Sequence, residues 1–313
     1  MSKLTVLIEF IRIRQWYKNV IIFLPLVFSF GFFSADKFSL ILSGFIALSL
    51  ISSAMYVRND IKDRDLDRSH PLKTLRALPS GKISIKQAWP IFLVLLSSGF
   101  IIAYILNFWF FIITILLFVN TEIYSKWTKK IIFLDAFSIG INFIIRAVSG
   151  IILLNEPLSP WIILGVFFVA LFLAFIKRKA EMTTLEGDAH KHRESLKDYS
   201  EFSLNTSLGI SAVMVIITYS LYAMNGPTHD WRLIITVPFI IFVILRQIHL
   251  SSINDKIAQT NEILKDKQSM IAISTYVILT ITLLYLVPSE IFSHNFESLL
   301  ELKLGGITCL KNT

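Results

Sequence analysis

Apolar residues in this chain fall in long blocks separated by short charged stretches, with no alternation of period two inside the blocks. Nine such blocks stand out, at about 19–35, 38–57, 88–106, 107–124, 131–154, 160–177, 204–224, 230–250 and 270–288. A run of roughly 20 apolar residues crosses a bilayer as a helix, so repeated runs of that length predict repeated crossings. Inside lipid the backbone must satisfy its own hydrogen bonds, which restricts spanning segments to helices or a closed barrel. These blocks are too long and too apolar on every face for barrel strands. The expectation is therefore an all-α integral membrane protein of nine transmembrane helices. No internal repeat or low-complexity linker divides the chain, so residues 1–313 read as one domain.

Composition agrees, with 54% hydrophobic residues, and charge adds direction to the pattern. About 25 of the 30 Lys and Arg residues fall at the N-terminus or after the second, fourth, sixth and eighth blocks. Positive loops stay on the cytoplasmic side, which predicts a cytoplasmic N-terminus and an outside C-terminus in the cell membrane. Lys3, Glu9, Arg12 and Arg14 precede any long apolar run, so the first block is expected to be a retained span rather than a cleaved signal. The single cysteine, Cys309, excludes a disulfide framework and a cysteine metal site. Nucleic-acid binding fits poorly, because the basic residues sit in short loops between spans. A homo-oligomer is compatible with all of this.

Orientation and binding of anionic headgroups account for some of the basic residues. They do not account for the carboxylates set among them. The segment Asn59-Asp60-Ile61-Lys62-Asp63-Arg64-Asp65-Leu66-Asp67 follows the second block directly. If the helix continues there, Asp60, Asp63 and Asp67 share one face at i+3 and i+4 spacings. Crowded carboxylates call for a cation, and an oxygen-only set suits Mg²⁺ completed by water and substrate phosphates. Arg64, Arg68, Lys73 and Arg76 could hold the remaining phosphate charge. His70-Pro71 is expected to end the helix, and Ser80-Gly81 to form a turn.

A second cluster, Tyr124-Ser125-Lys126-Trp127-Thr128-Lys129-Lys130, leads to Asp135 inside the fifth block. Asp135, Asn142 and Arg146 fall on one helical face, and ionisable groups in a span face a cavity or a partner. Helical rise separates Asp135 from Arg146 by about 16 Å, too far for them to pair. Asp135, near the cytoplasmic end, is expected to line a polar site, whereas a structural role competes strongly for Arg146. Lys177-Arg178-Lys179-Ala180-Glu181 ends the sixth block, and Arg12-Ile13-Arg14-Gln15-Trp16-Tyr17-Lys18-Asn19 precedes the first. Snorkelling cations and an interfacial aromatic belt would by themselves explain both.

Together these residues form a cytoplasmic rim suited to a Mg²⁺-bound diphosphate that meets a lipid entering from the bilayer. At this point the chain resembles the UbiA superfamily of membrane prenyltransferases, whose pattern is nine spans with a cytoplasmic NDxxDxxxD segment after the second. More narrowly it is similar to the decaprenyl-phosphate phosphoribosyltransferase branch. That likeness is carried by RxRQWxKN at Arg12–Asn19, by YxxNDxxDxxxDxxHPxK at Tyr56–Lys73, and by Ser80-Gly81. Tyr124-Ser125 with Lys129 and Asp135, Arg146 with Gly150, KRxAE at Lys177–Glu181, and Arg193 with Tyr199 add to it. Relatives often read RPxASG where this chain has Arg76-Ala77-Leu78-Pro79-Ser80-Gly81. Users of prenyl diphosphates carry a second Asp-rich motif on the fifth span; here Ile139 stands four residues after Asp135, so that motif is incomplete.

The resemblance implies transfer of 5-phosphoribose from phosphoribosyl diphosphate to a polyprenyl phosphate, for cell-envelope polysaccharide synthesis. It implies that Asn59, Asp60, Asp63 and Asp67 form the catalytic metal site for Mg²⁺. It assigns substrate binding to Lys18, Asn19, Arg68, Lys73, Arg76, Tyr124, Lys129, Asp135, Arg146, Lys177, Arg178, Glu181, Arg193 and Tyr199. The rivals are an aromatic prenyltransferase of the same superfamily, against which the incomplete second motif weighs, and a transporter. Transporters set their ionisable groups near the bilayer midplane, whereas here they crowd the rim.

Overall fold

A computed structural model describes residues 3–68, 73–184, 194–226, 230–253 and 266–287. Its elements are α1 (Lys3–Phe10), a 3-10 helix (Ile13–Phe23), α2 (Leu24–Phe28), α3 (Ala35–Arg68), α4 (Ile85–Leu106) and α5 (Phe108–Lys126). They continue with α6 (Leu134–Leu154), α7 (Pro160–Thr184), α8 (Glu201–Asn225), α9 (Val237–Ile253) and α10 (Lys267–Ile281), which ends in a π turn, Thr282–Leu286. The described residues are helical or loop throughout, and eight of the helical segments are long and apolar enough to cross a membrane.

The expected first span departs from a continuous helix. Arg12 takes a left-handed backbone (φ 53°, ψ 47°) that turns the chain into the 3-10 helix. Pro25, which has no N–H to give, sits in the first turn of the five-residue α2. Beyond it, Phe30 is again left-handed. Polar and aromatic ties fasten this segment antiparallel to α3. Arg12 pairs with Asp60, Trp16 Nε1 donates to Ser53 (2.9 Å), Asn19 Nδ2 donates to Ser49 (3.0 Å), and Phe23 stacks on Phe38 and Phe45. Its other side lies on α6, so closely that a Cβ on Gly150 would come 2.2 Å from the Ile22 carbonyl oxygen.

The long helices form one bundle with α6 inside it, touching the 3-10 segment, α2, α3, α5 and α7. One apolar core joins α3, α4 and α5 to the 3-10 segment through Ile22, Leu48, Ile51, Ala103, Phe110 and Leu117. Another joins α6, α7 and α8 through Ala136, Leu171, Phe175, Leu204 and Leu208. Outward faces carry exposed Leu93, Ile101, Ile105, Ile210 and Leu245, as expected of helices solvated by lipid. At the end remote from Asp60, Lys37 Nζ meets Glu156 (2.8 Å), and Arg232 holds both Asp230 and the Val287 carbonyl.

Candidate active site

α3 runs unbroken to Arg68, as the aspartate spacing required. The chain then returns at the 3-10 turn Lys73–Leu75 and a tight turn in which Ser80 N–H bonds to Arg76 O and Gly81 adopts φ 78°. That return carries Arg76 back over the aspartates. Arg76 Nη1 donates to Asp67 Oδ2 (2.7 Å) and lies 3.5 Å from Asp60 Oδ1. From the other side Arg12 pairs with Asp60, its guanidinium 4.9 Å from the centre of the Tyr56 ring. Asp60 and Asp67 are both buried, and Asp63 lies within electrostatic range of Asp60. A cavity of about 410 Å³, lined by Glu9, Arg12, Gln15, Asp60, Leu75 and Arg76, opens here.

On the neighbouring flank of α3, Asn59 Oδ1 accepts from Ser125 Oγ of α5 (3.2 Å), and Arg58 pairs with Glu122. Lys62 stands within electrostatic range of Lys126 and of Lys129, which the 3-10 turn Thr128–Lys130 presents. Cations gather in this way where an anion is to be held. Arg68 points elsewhere, to the Pro79 carbonyl and Asp65. His70, Pro71 and Arg193 lie outside the described residues, and Lys73 opens the return turn.

The fit to a divalent cation can be judged from this donor set. Two buried carboxylates share one arginine, a third is near, and all donors are oxygen. That set suits Mg²⁺, which takes one or two carboxylates and fills its shell with water and phosphate oxygens. Among the described residues no three His, Cys, Asp or Glu side chains are close enough to hold a metal by themselves.

Asp135 falls elsewhere. It was expected to line a polar site, but it is fully buried and its carboxylate is taken up by protein donors. Arg178 Nε donates to Oδ2 (2.6 Å), Ser195 Oγ to Oδ2 (3.2 Å) and Tyr199 Oη to Oδ1 (2.9 Å). Arg178 Nη1 also reaches Glu181 Oε2 (3.2 Å), and Tyr124 is within its electrostatic range. Lys177, next in chain, is exposed. Phe133 (φ 62°, ψ −42°), with Leu134 N–H bonded to Ile132 O (2.7 Å), forms a γ-turn of the rare, strained hand. Tyr199 Oη accepts from Phe133 N–H (2.9 Å) and so clamps that turn. Burial first, then the Asp135 carboxylate, push the Tyr199 phenol well above its ordinary range.

Asp135 and Arg146 do not pair. Arg146 lies deeper, with Nε donating to Asn19 Oδ1 (2.7 Å) and Nη1 to the Asn142 carbonyl (3.0 Å). Lys18 Nζ is 3.5 Å from Tyr56 Oη. Below this level a second cavity of about 440 Å³ is almost wholly apolar, walled by Phe28, Phe143, Trp161, Val166, Ile240 and others.

The structure thus brings Asp60, Asp67 and Arg76 of the sequence pattern into one cluster and adds Arg12 as the partner of Asp60. Ser195, on the Asp135 carboxylate, had no counterpart in that pattern. The only available sign of Arg12 was its place at the head of the RxRQWxKN stretch.

"Uncharacterized protein y4nM" of Sinorhizobium fredii is 38% identical over 176 residues, 55% of this chain, and the chain spans only 33% of that protein. A decaprenyl-phosphate phosphoribosyltransferase of Mycolicibacterium smegmatis is 27% identical over 253 residues, covering 76% of this chain and 80% of that one. Among solved structures, a UbiA homolog from Archaeoglobus fulgidus bound to GPP and Mg²⁺ shares the fold, with a TM-score of 0.64 and 17% identity over 88% of this chain and 98% of that one. The sequence pattern of the UbiA prenyltransferase family matches residues 20–265. This multi-pass helical membrane protein belongs to the UbiA prenyltransferase family.

Proposed function

We propose that the protein transfers 5-phosphoribose from phosphoribosyl diphosphate to a polyprenyl phosphate, in a reaction that depends on Mg²⁺. The carrying observation is that α6 bears a single carboxylate, Asp135, fully buried against Arg178, Ser195 and Tyr199 and followed one turn on by Ile139, whereas Asp60 lines an open cavity. A prenyl-diphosphate donor of the usual superfamily kind would call for a second Asp-rich motif there. The name of the relative from Mycolicibacterium smegmatis supports the same transferred group and class of acceptor.

In this reading Asp60, Asp63 and Asp67, with Asn59, would hold Mg²⁺, and the ion when bound would supply neutralisation of charge on a leaving diphosphate. Arg76 and Arg12 sit beside those carboxylates and bind diphosphate oxygens. Lys62, Lys126 and Lys129 offer a second cationic patch for the remaining phosphate of the donor. The C1–O bond to diphosphate breaks as an oxygen of the lipid phosphate bonds to C1. That phosphate is already an anion near neutral pH, so no general base is needed. The apolar cavity receives isoprene units of the acceptor.

The topology belongs to the same proposal. Eleven residues of 3-10 helix and five of α-helix, at about 2.0 and 1.5 Å each, come to roughly 30 Å, the thickness of a hydrocarbon core. Residues 13–28 thus make a ninth crossing, antiparallel to α3, with the aspartate rim cytoplasmic.

The test is a membrane assay with labelled phosphoribosyl diphosphate, polyprenyl phosphate and Mg²⁺, run on the wild type and on Asp60→Asn. Labelled lipid that requires Mg²⁺ and is absent with the variant is the expected result. Folded wild-type protein that labels no lipid, across several chain lengths, would sink the reading in favour of a prenyl-diphosphate donor.

A further inference from the structure

Two cations lie between the aspartate rim and the apolar cavity, and among the described residues neither has a carboxylate within ion-pair range. Arg146 is 8% exposed, yet its bonds go to neutral oxygens, of Asn19 and of the Asn142 main chain. Lys18 has Tyr56 Oη at 3.5 Å and the Tyr17 ring at 5.9 Å. A guanidinium buried inside a span without a counter-charge is costly, and such groups face a pathway or a ligand. Lys18 is thus the cation at the Tyr56 hydroxyl, and Arg146 lies within electrostatic range of that residue. Tyr56 is one helical turn before Asp60 on the same face of α3.

The other side of Arg146 completes the order. Its guanidinium stacks on Phe143, 5.6 Å from the ring centre, and Phe143 is a wall of the apolar cavity. Ile21, two residues from Asn19, is another wall. Contacts therefore run from the apolar cavity through Phe143 to Arg146, from the neighbouring Lys18 to Tyr56, and from Tyr56 one turn along α3 to Asp60. A lipid tail in the cavity would place its head group at the cation pair, just below the metal-binding carboxylates.

We infer that Arg146 and Lys18 form the subsite for the phosphate monoester head group of the lipid acceptor, separate from the Arg12–Arg76 and Lys62–Lys126–Lys129 groups on the rim. This rests on the proposed acceptor being a lipid phosphate. Arg146 sets the depth of the phosphate and Lys18 caps it from the rim side. The Asn19 carboxamide fixes the Arg146 fork through Nε, and Ser49 and Ser52 orient that carboxamide in turn.

Purified full-length protein in neutral-lipid nanodiscs can be titrated with farnesyl phosphate, with farnesol, with ribose 5-phosphate, and with inorganic diphosphate plus Mg²⁺. The wild type should bind farnesyl phosphate about tenfold or more tightly than farnesol, the factor expected of charge-assisted hydrogen bonds. Arg146→Gln and Lys18→Gln should each remove most of that preference while leaving farnesol and both soluble anions within about twofold of wild type. Arg146→Lys keeps the charge and should keep part of the preference, which guards against a folding defect in Arg146→Gln. The inference is overturned if the wild type does not discriminate phosphate from alcohol, or if the variants retain the preference. It is equally overturned if they lose ribose 5-phosphate or diphosphate instead, for then the cations serve the donor. A wild type that prefers farnesyl phosphate yet labels no lipid in the transfer assay keeps this subsite and refutes the donor.

Discussion

Tyr199 carries more than one load, because a single phenol oxygen accepts from the strained Phe133 turn and donates to the buried Asp135. Removing it takes the partner from the Phe133 N–H, at a cost of about 1–3 kcal/mol, and leaves Asp135 Oδ1 with only the Ala136 N–H (2.8 Å). Tyr199→Phe should therefore lower the apparent melting temperature in nanodiscs. The pH dependence follows from the raised phenol. The folded protein keeps this proton where the unfolded chain, titrating near 10, loses it. The stabilisation is thus complete below about pH 10 and is lost as pH rises further. The melting gap between wild type and Tyr199→Phe should hold up to about pH 10 and narrow as pH rises beyond it; a constant gap would mean that the phenol ionises alike in both states.

Among the helices, the contact between α6 and the 3-10 segment has the least room. A methyl group on Gly150 would meet the Ile22 carbonyl, which is backbone and cannot rotate away. Gly150→Ala must push the 3-10 segment off α6, and overpacking of this kind costs about 1–3 kcal/mol. Gly209 in α8 is the matched control, since a Cβ there meets nothing within 4 Å. Gly209→Ala should be neutral or stabilise by up to about 1 kcal/mol through helix propensity. Thermal unfolding of the two variants side by side checks both signs. Because the displaced segment carries Arg12, Lys18 and Asn19, Gly150→Ala should also weaken lipid labelling, whereas Gly209→Ala should not.

At the scale of the whole molecule, the segregation of basic residues predicts an orientation. If, as proposed, the aspartate rim is cytoplasmic and residues 13–28 make a ninth crossing, Cys309 falls on the outside. Cys309 is the only cysteine, so the native chain already contains its own reporter. A membrane-impermeant maleimide should label Cys309 in intact cells without permeabilisation. Labelling that appears only after the membrane is opened would require an even number of crossings, and residues 13–28 would then not span.

Much of this architecture was legible because lipid imposes a constraint that acts locally. Each apolar block had to be a helix, and the aspartates at i+3 and i+4 had to share a face of any helix that reached Arg68. The first block misled for an equally physical reason. Hydropathy reports that a segment is apolar, not whether Arg12, Pro25 and Phe30 allow it a continuous α-helix. Which charges meet was beyond the sequence, because pairing across 48 residues from Arg12 to Asp60, or 43 from Asp135 to Arg178, leaves no periodic trace. Spacing correctly kept Asp135 and Arg146 apart, yet it was silent on their partners. Helix and membrane, read residue by residue, were decided by the chain alone. The burial of Asp135, the place of Arg12 at Asp60 and the uncompensated Arg146 were decided only when the helices packed, since desolvation and ion pairing depend on neighbours that folding supplies.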